Sequence, residues 1–148
     1  MNHLNRGVSI ITLGVKNVDK SVKFYEKLGW RLSPDSDPKM CTFIKTPNST
    51  IGLVEYNFLA NDIGIEASPK QLFPGFTLAI NGDSTEEVNQ IMQRAIDAGA
   101  IEHEKPHWKD WGGYDGYSGY FIDLDGYFWE IAYFPYCKIS KEGTLLPK

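Results

Sequence analysis

Two stretches of this chain carry the same order of elements, and that repeat constrains the fold more than any single motif. From Val8 to Val15, Ile11, Leu13 and Val15 alternate with Ile10, Thr12 and Gly14, the period of a strand buried on one face. Asn17 is placed to cap a helix over Val18 to Leu28, with Val18, Val22, Tyr25 and Leu28 as its apolar stripe and Gly29 as its stop. Three short strands are predicted next, at Trp30 to Ser33, Met40 to Lys45 and Thr50 to Tyr56, punctuated by Pro38 and Pro47-Asn48-Ser49. The pattern then restarts. Phe76, Leu78 and Ile80 alternate with Thr77 and Ala79. Ser84-Thr85-Glu86-Glu87 is a capping box opening a helix that carries Val88, Ile91, Met92 and Ala95 and stops at Gly99. Strands are predicted near Ile101 to Lys105, Tyr117 to Ile122 and Phe128 to Phe134, with a tight turn at Asp123-Leu124-Asp125-Gly126.

The order β-α-β-β-β thus occurs in module one, about residues 8–56, and module two, about residues 75–135. A connector, about 57–74, holds one short helix around Phe58 to Ile63, and a tail runs from 136 to 148. The chain's 148 residues suit one domain, of α+β class. Each module is expected to be a curved four-stranded mixed sheet with its helix on one face, leaving the opposite faces to enclose a shared cavity.

Composition narrows the partners. A hydrophobic fraction of 42% with 23% charged residues is globular, and a net charge of −4 argues against nucleic acid and against an anionic membrane surface. Cys41 and Cys137 are far apart and fit no metal-binding spacing, so both are read as free thiols. No apolar run approaches the ~20 residues of a membrane span, and Met1 to Arg6 lacks the apolar core of a signal peptide, so a cytoplasmic location is the default expectation.

Two segments carry a resemblance. Gly14-Val15-Lys16-Asn17-Val18-Asp19-Lys20-Ser21-Val22-Lys23-Phe24-Tyr25, with the later Leu28-Gly29-Trp30, resembles the strand-to-helix entry of the vicinal oxygen chelate superfamily. That superfamily contains glyoxalase I, bleomycin-resistance proteins and extradiol dioxygenases. Gly119-Tyr120-Phe121-Ile122-Asp123-Leu124-Asp125-Gly126-Tyr127-Phe128-Trp129-Glu130 resembles its last hairpin, with Leu124 where a proline is usual. The likeness spans about residues 8–135. Trp111-Gly112-Gly113-Tyr114 is similar to a glyoxalase/bleomycin-resistance-like subgroup whose members mostly lack an assigned activity. The resemblance implies the doubled βαβββ fold and a homodimer. It does not imply one reaction, because the superfamily hosts several.

The resemblance also implies four ligand positions for a divalent metal, at Ile10, Gly52, Thr77 and Glu130. Only Glu130 is a strong ligand, and protein sites typically supply three or more. Strand parity supports the same conclusion from the residues. Ile11, Leu13, Val15, Ile51, Leu53, Phe76, Leu78, Ile80, Trp129 and Ile131 should pack under the helices. The other face then carries Ile10, Thr12, Gly52, Val54, Thr77, Phe128 and Ala132 around Glu130, and no second acid on those strands. His103 and His107 would share a strand face but stand roughly 13 Å apart, and a solvated edge is expected there. No metal or other cofactor is expected, a divalent ion being the less favoured alternative.

Glu130 is the candidate catalytic residue. Among apolar neighbours a carboxylate is poorly hydrated, and desolvation raises its pKa unless a donor pairs with it. It can serve as acceptor or general base for a ligand, or be a remnant tied to a hydroxyl such as Tyr120 or Thr77. From Trp108 to Tyr120, rings alternate with glycines, which suits a loop at a cavity mouth gripping a planar or apolar molecule. Trp111 and Tyr120 are its candidate ligand contacts, and a dimer contact or edge packing is the structural alternative. No phosphate loop or nucleophile elbow is present. Three functions follow as expectations: a metal-free protein binding a small, partly apolar or planar molecule; an enzyme (lyase, isomerase or dioxygenase) using Glu130 as base or as one ligand of an atypical metal site; and a non-catalytic dimeric interaction module.

Overall fold

The computed structural model describes residues 3–146. Met1, Asn2, Pro147 and Lys148, parts of the termini read above, lie outside the described residues. The first module holds β1 (Ile10–Val15), α1 (Val18–Leu28), β2 (Arg31–Leu32), β3 (Thr42–Lys45) and β4 (Thr50–Glu55). After α2 (Tyr56–Ile63) the second holds β5 (Leu78–Asn81), α3 (Thr85–Ala98), β6 (Ile101–Asp110), β7 (Asp115–Ile122) and β8 (Phe128–Tyr133). Two four-stranded sheets result, ordered β1-β4-β3-β2 and β5-β8-β7-β6. Each pairs its first and last strands in parallel and the others antiparallel, so both sheets are mixed. The doubled βαβββ order is therefore a repeat of topology as well as of sequence pattern.

Local chemistry sets the helix bounds. Asn17 Oδ1 accepts from the Lys20 N–H, and Gly29 at φ 121° ends α1 in a region that favours glycine. Ser84 Oγ accepts from the Glu87 N–H, while the Glu87 carboxylate reaches back past the cap to the Asp83 N–H at 2.6 Å. The Glu55 carboxylate caps α2 at the Phe58 N–H.

The helix-facing residues read from parity form the core. Leu13, Val15, Ile51, Leu53, Leu78, Trp129 and Ile131 are buried, joined by Phe24, Tyr25, Phe121, Val88 and Met92 from both modules. Tyr25 stacks on Trp30 and lies 5.7 Å from Trp129, so a side chain of α1 reaches across to the sheet of the other module. The β7–β8 turn bolts the halves together. Asp123 Oδ2 accepts from Tyr25 Oη (2.8 Å) and Trp129 Nε1 (3.0 Å), and its Oδ1 accepts from the N–H groups of Asp125 and Tyr127. Asp125 takes the Lys16 N–H and the Ser21 hydroxyl, and Tyr127 Oη donates to the Gly14 carbonyl. Burial raises the Asp123 pKa despite these donors, and burial followed by the Asp123 charge pushes Tyr127 up to about 12.

Several bounds differ from the sequence reading. The first strand starts at Ile10, and Val8 is exposed. The fifth starts at Leu78, so Phe76 leaves the core and rests against Tyr127 instead. β6 runs five residues past Lys105, through Pro106. As the sheet's edge strand it can spare the proline's missing N–H, and register shifts between Glu102 and His107 absorb the misfit. The tail forms a small hairpin pairing Ile139 with Leu145, tied to the other module where Asn48 Nδ2 donates to Thr144 Oγ1. Cys41 and Cys137 are both free. No helix among the described residues is long and apolar enough to cross a membrane.

Candidate functional site

Each sheet has a face turned away from the core, and strand pairing says which side chains share it. In module one, Thr12 and Phe43 stand opposite Gly52. A Cβ at Gly52 would meet Thr12 Oγ1 at 2.9 Å, Cys41 Sγ at 3.2 Å and Ile10 Cγ2 at 3.4 Å, so these side chains close over the glycine. Ile10 is 44% exposed, while Val54 is buried. Tyr56 and Leu59 of α2 lie over neighbouring Gly14 and cover that end of the face. The Cys41 thiol is pushed up by burial.

In module two, one row crosses the sheet as Ala79, Glu130, Tyr120 and Glu104, and the next as Asn81, Ala132, Ser118 and His107. Ser118 Oγ donates to Glu130 Oε2 at 2.7 Å. Lys109 Nζ bonds the Glu104 carboxylate, lies 3.4 Å from Ser118 Oγ, and sits 5.0 Å above the Tyr120 ring. His107 Nε2 approaches Glu104 at 3.7 Å. Burial, and then the charges of Glu130 and Glu104, raise the Tyr120 phenol above its ordinary value. At one end Trp111 lies flat on Gly116 and 5.3 Å from Phe134, and at the other Phe128 packs edge-on against His103. The result is a connected polar cluster between aromatic walls.

This corrects the sequence reading in five ways. The partner of Glu130 is Ser118, not Thr77, which precedes β5 and is exposed. Register places Ala79, not Thr77, opposite Glu130. The face holds a second carboxylate, Glu104, two strands away, or about 10 Å at ordinary strand spacing. Ala132 and Ser118 are fully buried, so this part of the face is floored over by its own side chains and is not a hollow. The ring-and-glycine segment is also no loose loop. It is a hairpin whose turn is only Trp111 to Tyr114, with Gly112 and Gly113 at φ 74° and 94°. Parity sends Trp108 and Tyr117 to the helix side, and Trp111 and Tyr120 to the open face.

A cleft of about 1020 Å³ opens elsewhere, between the modules on the helix side. Ile11, Ile51, Ile80, Trp30 and Trp129 line it, and Thr77 is the one nominated residue it touches. Sequence reasoning missed this cleft, together with Ser118 and Lys109. Extending parity from Tyr120 by two residues finds Ser118; Lys109 depends on the bulged pairing of β6, which has no sequence signal.

The donor set does not fit the family's divalent ion. Glu130 faces Ala79 and a serine, while module one offers Ile10, Thr12 and Gly52. Among the described residues, no three His, Cys, Asp or Glu side chains converge on a point that could hold a metal.

Paired βαβββ modules with this shared strand order define a class of small α+β proteins. A sequence model of the Glyoxalase/Bleomycin resistance protein/Dioxygenase superfamily matches residues 2–131, and the chain belongs to that superfamily. Among solved structures it is similar to a glyoxalase-related enzyme from Fulvimarina pelagi, at 28% identity and TM-score 0.81, covering 97% of this chain and 99% of that one. It is also similar in fold to a glyoxalase/bleomycin resistance protein/dioxygenase family enzyme from Burkholderia phytofirmans PsJN, at 20% identity and TM-score 0.69, covering 85% and 97%. No curated protein matches its sequence.

Proposed function

We propose that this chain binds a small, partly apolar or planar molecule against the open face of module two, with Glu130 as the hydrogen-bond acceptor and without a bound metal. The observation that carries this is the Glu104–Lys109–Ser118–Glu130 cluster, with Lys109 over the Tyr120 ring and Trp111 at one end of the same face. Ser118 donates to Glu130 and is itself met by Lys109, which orients the carboxylate to accept a hydrogen bond or a proton from a ligand. Trp111, Phe134 and Phe128 supply flat apolar walls. A second copy completes the site in this reading, because Ile10 stays uncovered within one chain. Cytoplasmic location is part of the same proposal.

Use of Glu130 as a general base is the enzymatic form of the reading, favoured by its fixed position. A thermal-shift screen of planar and apolar molecules, on the native chain and on Glu130→Gln, tests both forms. A ligand at 100 times its Kd should add about 2.7 kcal/mol to the native chain and markedly less to the variant. Equal shifts would move the site away from Glu130. Stoichiometric retention of Ni²⁺, Zn²⁺ or Mn²⁺ by elemental analysis would end the metal-free form. Sedimentation that shows only monomer with ligand bound would remove the second copy.

A further inference from the structure

We infer that the depression beside β2 and β3 is a second binding site, for an amphipathic carboxylate with an acyl-type body. Arg31 and Lys45 stand directly opposite across β2 and β3. Like charges in that position repel, with Cβ atoms about 5 Å apart. Neither forms an ion pair or a side-chain hydrogen bond among the described residues. Protection of an exposed sheet edge accounts for a cation on β2, the edge strand. It does not account for Lys45, which lies on β3, inside the sheet. An anion between the two cations would turn their repulsion into a shared attraction.

The space for that anion is present. A depression of about 510 Å³ is lined by Arg31, Lys45, Trp30, Leu32, Pro34 and Pro47, with no acidic residue on its wall. Trp30 and Pro47 also line the larger inter-module cleft, so the two spaces are neighbours that share these walls. The cleft wall is mixed, and its apolar part is made of Ile11, Ile51, Ile80, Ile91 and Trp129. Charges around that cleft are of both signs (Asp83, Glu87 and Glu142 against Arg94 and Lys141), whereas the smaller depression is purely cationic. Register puts Arg31 and Lys45 on the face opposite Ile44 and Ile51, at the end of β2 and β3, so the arrangement fits a carboxylate head between the two cations and a flexible apolar chain that rounds the sheet end past Trp30. The site shares no residue with the Glu130 cluster and stands whether or not that reading holds.

Decanoate, kept below its micelle-forming concentration, is the probe. Calorimetric titration measures affinity, and tryptophan fluorescence reports on Trp30. Decyltrimethylammonium, with the same chain and opposite charge, and acetate, with the head alone, are the controls. Decanoate should bind at least about tenfold tighter than either and change the emission. The double variant Arg31→Gln/Lys45→Gln should weaken decanoate about tenfold or more while its ligand-free melting temperature stays level or rises. Lys45→Gln alone should give a smaller loss in the same direction, and Arg31→Lys should retain binding. Equal binding of the two amphiphiles, unchanged decanoate affinity in both Gln variants, or no decanoate binding would each overturn the inference.

Discussion

The β3–β4 turn and the β7–β8 turn occupy the same place in the repeat and do different work. In module one, Thr46 to Ser49 is closed mainly on itself, with Thr46 N–H donating to the Ser49 carbonyl and Thr46 Oγ1 accepting from the Ser49 N–H, and its one outward side-chain bond is the exposed one from Asn48 to Thr144. Pro47, Asn48 and Ser49 are exposed. In module two, Asp123 is 6% exposed and joins the second module to α1 of the first. Repetition of element order therefore does not repeat energetic roles. A turn carboxylate in water contributes local geometry, whereas the same group between two modules becomes a tie whose loss strands several donors. The open faces differ likewise: module one's is closed around a glycine, and module two's carries a charged cluster.

The comparison breaks first at Asp123. Asp123→Ala should cost about 3 kcal/mol in urea unfolding, because Tyr25 Oη, Trp129 Nε1 and two backbone N–H groups lose their acceptor. Asn48→Ala, in the equivalent turn, should cost under about 0.5 kcal/mol. Equal costs would mean that the β7–β8 turn is no tie.

A smaller contrast lies between the faces. Ser118→Ala should cost about 1.5 kcal/mol, since Glu130 loses its buried donor, while Thr12→Ala, exposed on module one, should stay within about 0.5 kcal/mol. Tyr127→Phe should cost about 1 kcal/mol by leaving the Gly14 carbonyl without its donor. Denaturant midpoints at constant slope check both.

The smallest effect is in pH. Burial raises Asp123 above its ordinary value of 3.8, so the folded chain holds that proton more tightly than the unfolded one. Its contribution to stability is complete below 3.8 and is lost as pH rises through the folded value. Native minus Asp123→Asn stability should therefore fall as pH climbs out of the acid range. A flat or rising difference would show that its four donors outweigh its burial.

Much of the site was readable because parity survives folding. Ile10, Thr12 and Gly52 were grouped by alternation alone, and the Ile10 and Thr12 side chains do crowd over Gly52. Glu130 was singled out in the same way and lies on the open face. Of the two hydroxyls named for it, Tyr120 does stand directly opposite Glu130 and Thr77 does not, while Ser118, opposite Ala132 and one row from Glu130, was not named. Thr77 was nominated because the fifth strand was read two residues too long at its start. Lys109 reaches the cluster through a hairpin whose bulges shift the pairing, and residue types do not announce a bulge.

Alternation, caps and turn residues were enough to determine the βαβββ repeat, the helix bounds and the split between core and open faces. These depend on periods of two or 3.6 residues within one element, and such periods are properties of the chain itself. Which turn would be buried, which hydroxyl would meet Glu130, and that Arg31 would face Lys45 over a depression were decided only when strands paired and modules packed. Those outcomes are set by contacts between residues far apart in the chain, and local periodicity carries no information about them.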